Sequence, residues 1–345
     1  MVLLFLCKIE LASNLQFSVL NIVFSIVKKL DMEQKKIWAF GGGKGGVGKS
    51  FVAGNLGILL AQNGYNVILA DLDLGGANMH TWLGVNSPTK SISEFIEREV
   101  LDIKKLLIPT DIPGLNLLSG AKDGVEIANM KHTQKRRFIT ALRQLDADYI
   151  VIDLGAGTAY NTIDFFLLAD SQGLIVIPEP TSIENAYRFI KNSFFRQVFH
   201  NSQGFGLKNV VNEIMRKDNP HNVNTPKELI DYFNKLGGKA TVFIEEQIQY
   251  FMPKLILNQV RTERDQMVGP AMKKACLKYF NLNVKFLGQV SFDDTVRKSV
   301  LERQPLAVAY SDSEPMEQLE VILTDLLKDE KENTGDNSIL SQLTL

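Results

Sequence analysis

The chain has 345 residues, of which 45% are apolar and 22% are charged, as is ordinary for a globular protein with a core of good size. Its formal net charge of −1 argues against a global positive field of the kind that binds nucleic acid. The two cysteines, Cys7 and Cys276, lack CxxC spacing, which argues against a disulfide scaffold or a thiolate-bound cluster within one chain and fits a reducing cytoplasm.

Residues 1–31 form an apolar leader that allows several interpretations. The leader lacks a basic start and a small-residue cleavage site, so it is a poor signal peptide. Polar residues interrupt the uncharged run Leu11–Val27, which makes it a weak membrane-spanning candidate. Polar residues from Asn14 to Lys28 recur at helical spacing, as in an amphipathic helix on a membrane or over the core. Alternatively, Met32 is the true start and the leader is an over-long reading of the gene.

Short β-rich runs alternate with helical stretches from Lys36 onward. Most of these runs are continuously apolar, which suits strands buried on both faces of a parallel sheet. The alternation predicts an α/β fold, a doubly wound and mostly parallel sheet flanked by helices. The predicted strands are Ile37–Phe40, Val67–Ala70, Leu115–Leu118, Tyr149–Ile152, Leu174–Ile177, Leu255–Leu257 and Val284–Leu287.

The stretch 195–252 is too long for a simple crossover between strands. It contains the helical segments Val210–Met215 and Pro226–Leu236, and Ala240–Tyr250 is a further helix or an irregular segment. We interpret part of this stretch as a helical insertion within a domain that spans residues 32–327.

The end of the chain changes from apolar to polar. Leucines and isoleucines at helical spacing predict a last helix over Glu317–Leu327. Residues 328–345 are predicted to be a flexible tail. A membrane-binding role for Ile339–Leu345 is an alternative, although the segment lacks the basic residues that favour anionic lipid.

The loop Gly43-Lys44-Gly45-Gly46-Val47-Gly48-Lys49-Ser50 matches GxxxxGK[ST] and stands between a predicted strand and a predicted helix, Lys49–Gln62. Glycines let the backbone bend around phosphate groups, and the start of the helix adds a positive end. Lys49 is predicted to reach the β and γ phosphates, and the Ser50 hydroxyl is placed to ligate Mg²⁺. The loop therefore predicts ATP and Mg²⁺ as bound cofactors.

A second lysine in the loop, Lys44, is where the sequence resembles a known family. The stretch GGKGGVGKS resembles the deviant Walker A of the MinD/ParA family. Val67–Asn78 resembles that family's switch I, and Tyr149–Gly157 resembles its Walker B and switch II. Pro178–Tyr187 looks most like the MinD-like flagellar regulators called FlhG or FleN. The resemblance covers about Ile37 to Leu327 and implies a MinD-like P-loop NTPase fold and Mg²⁺-dependent ATPase activity.

The resemblance also implies roles for individual residues. Lys44 would cross to the partner's nucleotide in an ATP-dependent homodimer, and Asp73 would orient or activate the attacking water. Asp153 would hold Mg²⁺ through a water, Gly157 would sense the γ-phosphate, and Asn258 would contact adenine. The predicted catalytic residues are Lys44, Lys49 and Asp73; the predicted metal ligands are Ser50 and Asp153; the predicted nucleotide-binding residues are Gly43, Lys44, Gly45, Gly46, Val47, Gly48, Lys49, Ser50, Phe51, Gly157 and Asn258.

Three points remain open at this stage. Asp71 is either part of the site or a carboxylate that supports it. A plain strand-end residue is the alternative for Asn258. Gly155 stands where many relatives have proline, so switch II is expected to be more flexible here than in those relatives.

The leading hypothesis is a cytoplasmic, nucleotide-driven switch that controls flagellar placement or number, with a regulatory protein partner and a possible peripheral contact at the inner membrane. Cell-division site selection and DNA partition are alternatives, and an iron-sulfur carrier is disfavoured because it needs paired cysteines. DNA partition needs a basic surface. A basic cluster that could supply it, or that is simply a solvated helix face, is formed by Lys131, Lys135, Arg136, Arg137 and Arg143.

Overall fold

The structure is a computed structural model and describes residues 35–73, 76–85, 88–120, 130–216 and 218–333. Within these ranges the chain builds a sheet with the strand order β3-β4-β2-β5-β1-β6-β7-β8. The β3–β4 pair is antiparallel and the other pairs are parallel. The strands are β1 Lys36–Gly41, β2 Val67–Leu72, β3 Ile108–Pro109, β4 Leu115–Leu118, β5 Tyr149–Leu154, β6 Ser171–Val176, β7 Lys254–Val260 and β8 Lys285–Ser291.

Helices cover both faces of this sheet, which confirms the doubly wound α/β architecture. A short 3-10 helix spans Ile103–Leu106, and the π-helical turn Cys276–Phe280 extends α11. The α-helices are α1 Lys49–Gln62, α2 Met79–Trp82, α3 Ile92–Ile96, α4 His132–Arg143, α5 Tyr160–Leu168, α6 Pro180–Asn201, α7 Lys208–Met215, α8 Pro226–Leu236, α9 Lys239–Tyr250, α10 Glu263–Gln266, α11 Val268–Ala275, α12 Asp294–Glu302, α13 Leu306–Ala309 and α14 Glu314–Asn333.

The core lies in two layers, one on each face of the sheet. One layer joins the sheet to α1 and α14, and the other joins it to α4, α5 and α6. Every residue of β2 and β5 is buried, because helices cover these strands from both sides. This arrangement explains the continuous apolar runs of the sequence. The seven predicted strands are confirmed, and the two-residue edge strand β3 was not predicted.

The stretch 195–252 is helical, as predicted for its three segments. It holds the end of α6 and then α7, α8 and α9. The rings of Phe194 and Phe251 are 5.4 Å apart, and those of Phe233 and Phe243 are 5.6 Å apart. All four side chains are buried in the layer that covers one face of the sheet. The helices therefore extend the main core, and their interpretation as an insertion stays a prediction.

The last helix is longer than the sequence suggested. It continues to Asn333, so the flexible tail predicted from residue 328 begins too early. The reason is a part-buried polar contact: Trp38 Nε1 donates to Glu330 Oε1 at 2.5 Å, and the Tyr149 hydroxyl donates to Glu330 Oε2 at 3.0 Å. Asp329 also pairs with Lys285. These contacts hold the end of α14 against the first residues of β1, β5 and β8.

The predictions for residues 1–31 and for Ile339–Leu345 lie outside the described residues. Among the described residues, no helix combines the length and the apolar character needed to cross a bilayer.

Candidate functional site

The glycine loop connects β1 to α1 and can be built only from residues without a Cβ at key points. Gly46 and Gly48 have φ angles of 78° and 91°, in the left-handed region that side chains disfavour. A Cβ at Gly48 would overlap Nδ2 of Asn258, and a Cβ at Gly43 would overlap the backbone carbonyl of Asn185 in α6. The loop is therefore packed between β7 on one side and α6 on the other.

This packing gives a test at one glycine of the loop, with a matched control elsewhere. We expect Gly43→Ala to lower ATP affinity about tenfold, because relieving the clash with a backbone atom displaces the loop or α6 at a cost of about 1–3 kcal/mol. Gly204→Ala is the control, because Gly204 is exposed and lies outside the loop, and a Cβ there would meet only the carbonyl oxygen of Asn201, at 3.8 Å. Isothermal titration with ATP measures both. Equal affinities for the two variants would contradict the described packing.

The first turn of α1 is suited to an anion. Its N-cap, Gly48, forms no side-chain capping hydrogen bond, and the turn carries no acidic residue. The backbone N–H groups that open the helix, together with its positive end, therefore meet no carboxylate from the turn itself. Lys49 is only 6% exposed and Val47 is fully buried, while Phe51 packs against the core below the loop. The predicted phosphate-binding residues thus lie together at the carboxyl edge of β1.

Two buried carboxylates lie side by side next to this loop. Asp71 and Asp153 are register partners on β2 and β5, and both are buried. Both oxygens of Asp71 accept backbone N–H groups, Oδ1 from Asp73 at 3.2 Å and Oδ2 from Met79 at 3.0 Å. Asp71 therefore holds the backbone of the segment that carries Asp73. This is the supporting role that the sequence left open.

Asp153 is the carboxylate that fits a cation. Its Oδ1 is buried and has no hydrogen-bond donor among the described residues. Burial, and then the neighbouring Asp71, raise the pKa of Asp153, while the Ser50 hydroxyl and the Lys49 ammonium act in the opposite direction. Burial also raises the pKa of Asp71. A divalent cation would offset this crowded negative charge, and oxygen ligands are those that Mg²⁺ prefers.

Asp73 lies against the loop that follows β5. A Cβ at Gly155 would be 3.1 Å from Asp73 Oδ1, so this position has little room for a side chain. The N–H of Gly157 donates to the carbonyl of Gly42 at 3.1 Å, and Gly157 has a φ of 93°. The loop that was expected to be flexible at Gly155 is thus fitted between Asp73 and the phosphate loop.

Lys44 is turned towards its own chain. Its Nζ donates to Oε2 of Glu179 at 2.7 Å and to Oγ1 of Thr181 at 3.1 Å, at the start of α6. The sequence singled out Pro178–Tyr187 as a family segment but gave Glu179 and Thr181 no role. The available signal was their position just after β6, next to the loop at the same sheet edge.

Asn258 braces the loop from the side of β7. Its Nδ2 donates to the carbonyl of Val47 at 2.9 Å, and the residue is buried. The adjacent Gln259 has a φ of 57° and donates from Nε2 to the carbonyl of Gly46 at 3.1 Å. Gln259 was missed, because neither its residue type nor its spacing marks it. The predicted contact of Asn258 with adenine stays a prediction.

Comparison with known proteins decides the family. The family model ParA, described as "NUBPL iron-transfer P-loop NTPase", matches residues 33–275. The chain belongs to the ParA family of P-loop NTPases. This membership confirms the resemblance seen in the loop and in the segments around Asp73 and Asp153.

Two relatives of the ParA-family chain carry names from flagellar regulation. It is 30% identical to antiactivator FleN of Pseudomonas aeruginosa over 221 residues, which cover 64% of this chain and 73% of FleN. It is 33% identical to flagellum site-determining protein YlxH of Helicobacter pylori over 45% of this chain and 53% of YlxH. The chain thus spans only about half of the second relative.

A solved structure supports the fold of the ParA-family chain. Septum site-determining protein MinD of Pyrococcus horikoshii, complexed with Mg-ADP, superposes with a TM-score of 0.59. The superposition covers 86% of this chain and 98% of MinD at 19% identity. The shared architecture is the mostly parallel sheet with helices on both faces.

Proposed function

We propose that this chain binds ATP and Mg²⁺ on the loop Gly43–Ser50, hydrolyses ATP as a homodimer, and acts as a switch that regulates flagellar placement or number. The observation that carries the ATPase proposal is the meeting of three features at one sheet edge. These are the glycine loop with buried Lys49, the cation-suited carboxylate of Asp153, and Asp73 next to the loop that contains Gly157.

The residues divide the work of phosphoryl transfer. The loop amides and Lys49 would hold the phosphates, and Ser50 with Asp153, the latter through a water, would hold Mg²⁺. The metal ion, when bound, neutralises charge on the phosphate oxygens. Asp73 would orient the attacking water, and Gly157 would sense the γ-phosphate. Positioning and charge neutralisation are what this reaction demands of a protein.

Lys44 is the residue that we assign to dimer formation. Its ammonium is held by Glu179 and Thr181, and the side chains of Lys44 and Glu179 are 36% and 53% exposed. An exposed ion pair of this kind contributes little to stability and can open readily. Lys44 would then be available to the nucleotide of a second copy.

The two lysines of the loop give opposite expectations. We expect Lys49→Ala to weaken ATP binding about 10- to 100-fold, since it removes a charge-assisted contact to phosphate. We expect Lys44→Ala to keep ATP affinity within about threefold and to lose ATP-dependent dimer formation. Isothermal titration and analytical ultracentrifugation with a non-hydrolysable ATP analogue measure the two properties. Unchanged nucleotide binding by Lys49→Ala would refute the proposal.

The flagellar role rests on the similarity to FleN and YlxH. It is tested by counting flagella under the electron microscope in a deletion strain complemented with wild type, Lys44→Ala or Lys49→Ala. We expect wild type alone to restore number and position. Normal flagella together with minicells or chain-forming cells would favour division-site selection instead.

An iron-transfer role is the second candidate, because the matched family model carries that description. Within the described residues the cysteine available is Cys276, which is buried, and burial raises the pKa of its thiol to about 12. Such a thiol is a poor metal ligand at neutral pH. Iron analysis of anaerobically purified protein discriminates, and stoichiometric iron would favour the carrier.

A further inference from the structure

The basic cluster predicted on α4 does not form one surface. Lys135 is buried and pairs with Asp164 of α5. Arg137 turns the other way, and its guanidinium lies 4.6 Å from the ring centroid of Phe95. Its Nη2 donates to the backbone carbonyls of Phe95 and Ile96 at the end of α3. Arg136 stays exposed. Of these cations, Lys135 therefore lies in the core, while Arg136 and Arg137 line a groove.

This groove lies between α4 and the segment around the 3-10 helix Ile103–Leu106. It has a volume of about 570 Å³. One side is lined by Phe95 and residues 101–104, and the other by residues of α4 and Gln144. Along α4 the lining begins at Thr133 and ends at Gln144, the residue that follows the helix. At 1.5 Å per residue the groove is therefore about 16 Å long, which matches about five residues of extended chain. No residue of the phosphate loop lines it.

The groove carries more positive than negative charge. Among the described residues, its lining cations are Lys104, Arg136 and Arg137, and the acid that lines it is Asp102. Asp102 already accepts the backbone N–H of Lys104 at 3.0 Å as a helix cap. Within the described ranges no carboxylate forms an ion pair with these three cations, and Arg137 Nε is buried without an acceptor. The groove is therefore complementary to an anionic ligand.

The groove also presents apolar surface. Leu101 is 80% exposed, the highest value among the large apolar side chains of the described residues. Phe95, Ile103 and Ala141, which are less exposed, line the same groove. A bare phosphate ion would use the cations and leave Leu101 in water. A chain that alternates carboxylates with aliphatic side chains would use both.

We propose that this groove binds an acidic peptide segment of a partner protein. Carboxylates of the peptide would pair with Lys104 and Arg136, and an aliphatic side chain would cover Leu101. The length of the groove and its open shape suit an extended segment, and electrostatic complementarity would steer the encounter. This surface is separate from the nucleotide site, so the proposal does not depend on the ATPase assignment.

The test is selection of peptides against the full-length protein. A displayed library of random 12-residue peptides is panned on wild type and, in parallel, on the double variant K104E/R136E. We expect wild type to enrich peptides that combine Asp or Glu with Leu, Ile or Val. A synthetic peptide with an enriched sequence should bind the double variant at least tenfold more weakly than it binds wild type, measured by fluorescence anisotropy. The same loss is expected for Leu101→Asp.

Arg143→Glu is the control, because it changes the same charge on the same helix at a residue that does not line the groove. We expect its affinity to stay within twofold of wild type. The proposal is overturned if no acidic–aliphatic sequence is enriched, or if Arg143→Glu weakens binding as much as the double variant does. Duplex DNA that binds with the same dependence on Lys104 and Arg136, with no effect of Leu101→Asp, would also overturn it. Thermal unfolding checks that each variant folds.

Discussion

Replacing Asp73 with asparagine is expected to lower the rate of ATP hydrolysis by at least about 100-fold while ATP still binds, because a carboxylate that orients or deprotonates water is lost. Asparagine has the same shape, so the fit of residue 73 against Gly155 is kept. With hydrolysis blocked, the ATP-bound dimer should accumulate. Steady-state phosphate release and ultracentrifugation with ATP measure the two effects.

A matched control separates this effect from a general change of charge. Asp312→Asn removes the same charge from an exposed turn before α14, and we expect its turnover to equal that of wild type. If Asp73→Asn hydrolyses ATP at the wild-type rate, Asp73 does not act on the water and the site has been assigned wrongly. If it fails to bind ATP, its role lies in holding the nucleotide.

The largest effect on stability is expected at Asp164 of α5. Its carboxylate, whose side chain is 7% exposed, pairs with Lys135 and accepts hydrogen bonds from Arg196 at 2.7 and 3.0 Å and from His200 at 2.9 Å. Asp164→Asn would leave the charges of Lys135 and Arg196 with no counter-ion in a buried place. We expect a loss of about 3–5 kcal/mol in the free energy of unfolding, measured by urea denaturation.

A surface pair provides the comparison. Glu184 and Arg188 form an ion pair within α6 whose side chains are more than half exposed. Glu184→Gln should lower the free energy of unfolding by less than about 0.5 kcal/mol. A similar small value for Asp164→Asn would show that the network is solvated and contributes little.

The same network predicts the acid dependence of stability. Burial tends to raise the pKa of Asp164, but hydrogen bonds from His200, Arg196 and Lys135 outweigh it and hold the pKa well below the usual 3.8. The folded state therefore binds fewer protons than the unfolded state at low pH. The contribution of Asp164 to the free energy of unfolding is therefore full above about pH 4 and is lost as the pH falls below that value. The Asn variant should lack this part of the acid slope.

Local sequence patterns were sufficient for the sheet and the phosphate loop. Buried parallel strands read as apolar runs, and the loop motif fixes Lys49 and Ser50 by spacing alone. β3 was missed because two residues paired at an edge leave no period to detect. The predicted start of the tail at residue 328 was too early, because Lys328 and its neighbours look like solvated residues in the sequence. The contact of Glu330 with Trp38 and Tyr149 is visible only in the structure.

Contacts between side chains that are far apart along the chain could not be predicted from the sequence. Lys44 and Glu179 are 135 residues apart, and Asn258 and Val47 are 211 apart. Nothing local indicates that an amide at the end of β7 is used by the loop after β1. The lysine was assigned to a partner's nucleotide by resemblance, and the structure adds the contact that must open first if that assignment is correct.

The contact of Glu330 with Trp38 and Tyr149 has a practical consequence for labelling. Both rings belong to the amino ends of β1 and β5, whereas the phosphate loop follows the carboxyl end of β1. At 3.3 Å per residue, the two ends of β1 are on the order of 15 Å apart. A fluorescent reporter joined just after Asn333 would therefore emerge underneath the sheet and leave the nucleotide face clear for imaging in cells.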